Sequence, residues 1–106
     1  MSFIDNNIIN PDLYIKFVTD HFNINENTLQ AIVQKLTGKS FFEYIEYQRM
    51  KKAEQLIRYT SIPISDIFIQ CGYSTHNSFY KAFKRYHGIS PSAMRVEIQS
   101  NTAALK

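Results

Sequence analysis

Residues 72–91 read Gly72-Tyr73-Ser74-Thr75-His76-Asn77-Ser78-Phe79-Tyr80-Lys81-Ala82-Phe83-Lys84-Arg85-Tyr86-His87-Gly88-Ile89-Ser90-Pro91. Phe79, Ala82, Phe83 and Tyr86 fall at the i, i+3, i+4, i+7 spacing that lines one face of a helix. Gly72, ahead of that run, is the residue best able to adopt positive φ. Ser74 can cap the next helix through its hydroxyl, so the helix is expected over Thr75 to Tyr86. Upstream, Pro63 to Cys71 reads as a shorter apolar helix. A short helix, a Gly-containing turn and a second amphipathic helix make a helix-turn-helix.

The same unit occurs twice. Leu36-Thr37-Gly38-Lys39-Ser40 lies fifty residues before Tyr86-His87-Gly88-Ile89-Ser90, and at that offset Leu29, Ile32, Val33 and Leu36 match Phe79, Ala82, Phe83 and Tyr86. Farther upstream the offset is forty-nine: Ile15, Val18, Asn23, Ile24 and Asn25 match Ile64, Ile67, Gly72, Tyr73 and Ser74. One inserted residue in the second copy accounts for the change. Copy one therefore reads as a helix over Asp12 to Phe22, Asn23 in the turn, Asn25 as N-cap and a helix over Glu26 to Thr37. A single helix-turn-helix can be mere packing; two copies at fixed spacing are a strong signal.

Between the copies, Gly38 ends one helix and Ser40-Phe41-Phe42-Glu43 forms an S-x-x-E capping box for the next. That connecting helix runs to about Tyr59, where Thr60-Ser61-Ile62-Pro63 breaks it. Its apolar stripe is Phe42, Ile45, Ala53, Leu56 and Ile57, widened by Phe41, Tyr44, Tyr47 and Met50. About 20 residues span roughly 30 Å, close to the ~34–36 Å between successive major grooves on one face of DNA. Ser90-Pro91 opens a last helix, expected to reach about Gln99. The chain thus divides into a first helix-turn-helix subdomain (1–39), a connecting helix (40–59), a second helix-turn-helix subdomain (60–99) and a frayed tail (100–106). The fold class is all-α.

Composition narrows the function. The chain has 106 residues, 12 Lys and Arg against 9 Asp and Glu, three glycines, three prolines and one cysteine. One small domain with few breaks favours long helices. The single Cys71 excludes an intramolecular disulfide and a cysteine-based zinc cluster. No apolar run approaches the ~18 residues of a membrane span, and no signal peptide opens the chain. The expected location is cytoplasmic. Charge is uneven: residues 1–48 carry three basic and six acidic side chains, residues 49–106 nine and three. The basic half favours an anionic partner.

Removing the apolar stripe from the second recognition helix leaves Thr75, His76, Asn77, Ser78, Tyr80, Lys81, Lys84 and Arg85. His76, Asn77 and Lys81 stand in its N-terminal half, where major-groove contacts are made. Asn pairs bidentately with adenine, and Lys with guanine O6 and N7. Tyr80, Lys84 and Arg85 suit phosphate oxygens, which fix register. The first recognition helix offers Asn27, Thr28, Gln30, Ala31, Gln34 and Lys35. Asn27 and Gln30 can read bases, and Lys35 and Lys39 can meet phosphates. Ala31 stands opposite Lys81 without charge, so copy one is expected to contribute less affinity.

From about Asp12 to Arg95 the chain resembles the DNA-binding domain of AraC-type (AraC/XylS) transcription regulators. The matching residues are Leu36 to Phe41, Tyr44-Ile45, Arg49-Met50, Ala53 to Ile57, Ile64 to Ile67, Gly72-Tyr73-Ser74, Phe79, Phe83-Lys84 and Gly88 to Pro91 through Arg95. The resemblance implies seven helices and two helix-turn-helix units on a long, non-palindromic double-stranded DNA site, usually for transcriptional activation. It places base contacts at Asn27, Gln30 and Ala31, and at His76, Asn77, Ser78 and Lys81. It also implies RNA polymerase as a partner and, ahead of this domain, a sensing, dimerising or phosphoacceptor domain absent from this chain, as in a response regulator. A stand-alone short activator is the alternative to a domain cut from a longer regulator.

Three residues depart from that pattern. Thr19 and Phe68 occupy places where the family has a small Ala, and a ring at Phe68 must displace its neighbours or rotate a helix. Ala31 replaces a position often polar or basic. Other chemistry is weakly represented. His21, His76 and His87 are scattered without ligand spacing, Cys71 reads as a small buried residue of the turn, and Glu43 reads as a cap. Arg49 and Arg95 suit either phosphate or internal ion pairs. Without a phosphate loop or nucleophile motif, neither an enzyme nor a cofactor is expected. The competing functional class is a helical protein-interaction module that kept the fold and lost DNA reading, favoured by the acidic first half and Ala31.

Overall fold

A computed structural model of the chain describes residues 1–104, with side chains through Asn101. The described residues form α1 (Ser2–Asn6), α2 (Ile15–Phe22), α3 (Glu26–Thr37), α4 (Phe41–Tyr59), α5 (Ile64–Gln70), α6 (His76–His87) and α7 (Pro91–Ala104). Three boundaries differ from the sequence reading. Helix α2 begins at Ile15 rather than Asp12, because Asp12 donates its backbone N–H to Asn10 Oδ1 in a local turn. Helix α7 continues past Gln99 to Ala104, so the expected frayed tail is helical through that residue; no Gly or Pro interrupts it. Residues 105–106 of that tail lie outside the described residues. The cap of α6 is Thr75, not Ser74: Ser78 donates its backbone N–H to Thr75 Oγ1 at 3.1 Å.

That last correction locates the inserted residue. Asn25 caps α3 by accepting from Thr28 N, just as Thr75 caps α6, so the caps lie fifty residues apart and Ser74 is the extra residue of the second turn. The left-handed positions agree: Asn23 (φ 52°) and Gly72 (φ 89°) in the turns, Gly38 (φ 73°) and Gly88 (φ 81°) at the ends of the recognition helices. Ser40 and Glu43 form the reciprocal capping box on α4. Their hydrogen bonds hold the Glu43 carboxyl below its ordinary pKa.

The 19 residues of α4 belong to two cores. Phe41, Tyr44 and Ile45 pack with Ile4, Ile8, Val18, Leu29 and Val33. Met50, Ala53 and Ile57 pack with Ile67, Phe79, Phe83 and Met94. The molecule is correspondingly long, 53 × 25 × 21 Å. Four expected stripe positions, Phe42, Ile32, Leu36 and Tyr86, are exposed. Phe42 is 62% exposed because Phe41, its neighbour in the first turn, takes the inward place. On α3, Ile32 and Leu36 are also exposed; of their matches on α6, Ala82 is buried and Tyr86 is exposed.

Two arginines tie the ends of elements together. Arg49, buried on α4, donates Nε–H to the Ile8 carbonyl at 2.9 Å and an NH2 proton to the Asn10 carbonyl at 2.8 Å. Its guanidinium lies 5.3 Å from the Tyr73 ring centroid in the second turn. Arg95 on α7 donates to the carbonyls of Leu56, Ile57, Thr60 and Ile62, gathering the C-terminal end of α4. Among the described residues neither side chain is half of an ion pair, one of the two roles weighed from sequence; each guanidinium is taken up by backbone carbonyls. Both satisfy carbonyls left open where a helix or turn ends.

Gly72 packs directly on this arrangement. A Cβ there would lie 2.2 Å from the Ile8 carbonyl oxygen and 2.8 Å from Arg49 Nε, whereas one at Gly38 would meet nothing within 4 Å. Gly38→Ala should therefore cost only left-handed strain, about 1–2 kcal/mol. Gly72→Ala adds a backbone clash, and should cost at least about 3 kcal/mol. Urea unfolding of the two variants checks this; equal losses would contradict the close approach.

Candidate nucleic-acid interface

Helix α6 sits between a core and solvent. Phe79, Ala82 and Phe83 are buried, while His76, Asn77, Ser78, Tyr80, Lys81, Lys84 and Arg85 are exposed. Asn77, Lys81 and Lys84 are spaced i, i+4, i+7 and so form one strip opposite the buried face. The first turn carries no acid, and Lys84, Arg85 and His87 lie in the last. An amide followed by two ammonium groups along an outward strip can donate to base edges and phosphates.

The matching strip of α3 is Asn27, Ala31 and Gln34. All three are exposed, and none is charged. Glu26 adds an acid to the first turn. The two recognition helices thus have the same length of 12 residues and the same Asn at the head of the strip, but different electrostatics.

Four expected contact residues are engaged by a hydrogen bond, an ion pair or a cation–ring contact within the chain. Gln30 is half-buried, and its Oε1 accepts from Phe41 N at 3.0 Å, which serves the first turn of α4. Ser78 Oγ accepts from Thr75 Oγ1 at 2.9 Å as part of the α6 cap. Arg85 NH2 meets Glu46 Oε2 at 2.8 Å, a bridge from α6 to α4. Lys39 Nζ lies 5.1 Å from the Tyr47 ring centroid, beside α4. The other expected residues, His76, Asn77, Tyr80, Lys81, Lys84, Asn27, Ala31 and Lys35, are exposed.

The arrangement of His76 was not legible from sequence. Its ring stands edge-on to Phe68 of α5, centroids 6.0 Å apart at 87°, and also contacts Phe79 and Tyr80. Phe68 resolves its steric problem at the rim: it is half-buried against the second core and turns its ring toward the start of α6. The departure from a small residue therefore gives His76 an aromatic support. Thr19, at the matching place in copy one, is half-buried and donates its hydroxyl to the Lys16 carbonyl.

No group of three or more metal-ligating side chains exists among the described residues. Cys71 is buried, and desolvation pushes its thiol up to about 12, which keeps it protonated. No helix is long and apolar enough to cross a membrane among the residues described.

Comparison with known proteins places this geometry. The family described as "Helix-turn-helix domain" matches residues 18–97. The Msm operon regulatory protein of Streptococcus mutans is 37% identical over 89 residues, covering 84% of this chain and 32% of its own length. The chain therefore spans about a third of that curated relative. The C-terminal domain of AraT, a response regulator from Geobacillus stearothermophilus, is 30% identical with a TM-score of 0.85, over 91% of this chain and 79% of that one. The DNA-binding domain of AdpA, a global transcriptional factor solved with a target DNA, shares the fold at a TM-score of 0.85 and 17% identity, over 94% of this chain and 89% of that one. With the family match running from α2 into α7 across both helix-turn-helix units, the chain belongs to the AraC-type family of helix-turn-helix DNA-binding domains.

Proposed function

We propose that the chain is the output domain of a bacterial transcription regulator, binding double-stranded DNA sequence-specifically with α3 and α6 in successive major grooves. The observation that carries this reading is the exposed Asn77–Lys81–Lys84 strip, held outward by a helix whose other face is in the core. In α6, Asn77 and Lys81 read base edges, His76 reads from its aromatic support, and Ser78 contributes from the cap. In α3, Asn27 and the free amide protons of Gln30 read bases, while the Ala31 methyl suits a thymine methyl. Tyr80, Lys84 and Lys35 meet phosphates. Lys39 reaches one from beside Tyr47, and Arg85 does so by exchanging its exposed pair with Glu46, a contact of low stability in water.

The unequal charge of the two strips divides the work. Phosphate neutralisation supplies most of the salt-dependent affinity, and it is concentrated in α6. Helix α3 adds site length and sequence information. The regulator would act in the cytoplasm and contact RNA polymerase, with a sensing, dimerising or phosphoacceptor domain supplying the signal. No enzymatic step is part of this reading.

Selection from random duplexes followed by sequencing tests it first: a bipartite site covering two major grooves is expected, and a site confined to one groove would overturn the two-groove arrangement. On the selected site, Lys81→Ala should relax preference at one base position by about 1–3 kcal/mol. Lys84→Ala should instead weaken all sequences alike and lower the salt slope by about 1. Binding unchanged by both substitutions would remove α6 from the interface.

A further inference from the structure

His76 opens α6, and three aromatic rings stand around its exposed side chain. Phe79 and Tyr80 follow it at i+3 and i+4 on the same helix, with centroids 6.4 and 6.5 Å away. The third ring, Phe68, comes from α5, at 6.0 Å and nearly perpendicular. Phe79 and Tyr80 move with α6; of the three, only Phe68 ties the imidazole to another element. Its own place is fixed from two sides. The ring packs against the second core, and its carbonyl oxygen accepts from Cys71 N at 3.2 Å and Tyr73 N at 3.1 Å, closing the turn after α5.

The first copy is built differently at the same place. At the offset of fifty His76 is matched by Glu26, and at forty-nine Phe68 is matched by Thr19. Thr19 turns its hydroxyl back to the Lys16 carbonyl of its own helix, and Glu26 is an exposed carboxylate in the first turn of α3. An exposed side chain ordinarily exchanges rotamers within picoseconds to nanoseconds, and ordering it on a partner costs binding free energy. A perpendicular ring contact between two elements removes part of that cost at His76.

We propose that Phe68 is a positioning residue for base readout: it holds the His76 imidazole in one orientation, so that preference at a single base pair is set from α5. The inference rests on the DNA-binding reading of α6 and adds to it a side chain that itself offers no hydrogen-bonding group. An imidazole presents two ring nitrogens, one donor and one acceptor when neutral. Base edges in the major groove differ in where their donors and acceptors lie. The orientation of the ring therefore decides which edge it matches, whereas the phosphate contacts proposed for Tyr80 and Lys84 carry no sequence information. Phe68 acts on sequence preference, not on affinity for every sequence alike.

The test is selection from random duplexes with the intact chain and its variants, read as a preference profile along the site. Phe68→Leu keeps bulk against the core and removes the ring. It should lower discrimination at one base pair about two- to tenfold and leave the other positions unchanged. His76→Ala should blur that same base pair, and adding Phe68→Leu to it should change nothing further. Phe68→Tyr keeps the ring and should keep the wild-type profile. Circular dichroism checks that each variant folds; Phe68→Met is a second ringless variant and should act as Phe68→Leu does. Weakening that is equal at all sequences assigns Phe68 to packing alone and overturns the inference. So does a profile altered by His76→Ala but not by Phe68→Leu, or an effect of Phe68→Leu that persists in full without His76. A wild-type chain that selects no site overturns the DNA-binding reading and this inference together, an outcome distinct from the others.

Discussion

The buried guanidinium of Arg49 joins three parts of the chain that would otherwise be free to move relative to one another. It extends from α4, binds the Ile8 and Asn10 carbonyls beyond α1, and approaches Tyr73 in the second turn. Burial disfavours its charge, and the acceptor carbonyls offset that cost. Removing the side chain would leave two carbonyls without these bonds, each worth about 1.5–3 kcal/mol with a charged donor. Gly72 belongs to the same constraint, since only a residue without Cβ lets the second turn approach this guanidinium. The two helix-turn-helix units are therefore held together by more than a shared helix.

Much of the fold was legible because its signals are local. Asn25, Gly38, Ser40 with Glu43, Gly72 and Gly88 each announce a cap or a left-handed residue, and each occupies that role. What sequence could not give is tertiary. Ser74 and Thr75 are both competent caps, and the turn geometry chooses between them. Arg49 and Arg95 looked available to anions, yet each found carbonyls some 33 to 41 residues away in sequence. Helical periodicity placed Ile32 and Leu36 on the apolar face of α3 correctly, but says nothing about whether another element covers that face. In the candidate site the exposed strip of α6 could be read directly, while the partners of Gln30, Arg85 and His76 depend on packing between helices.

The two units share a backbone design and differ in chemistry. Asn27 and Asn77 head equivalent strips, followed by Ala31 and Gln34 in one and by Lys81 and Lys84 in the other. In the function proposed, an acid-rich first half with a neutral strip adds little to counterion release, so its value in binding lies in extending the site. The family shares the scaffold of two units on one helix; in the function proposed, the side chains on the two strips set how affinity and specificity divide between them.

In the proposed binding mode both recognition helices engage one face of the duplex at a spacing fixed by α4 and Arg49. The direct test takes the selected site and inserts about five base pairs between its halves, half a helical turn, then measures affinity at constant salt. With rigidly spaced units, the second half-site turns to the far face, and affinity should fall to that of the α6 half-site alone. Affinity that survives the insertion would contradict the account, showing that the units bind independently or that only one of them binds.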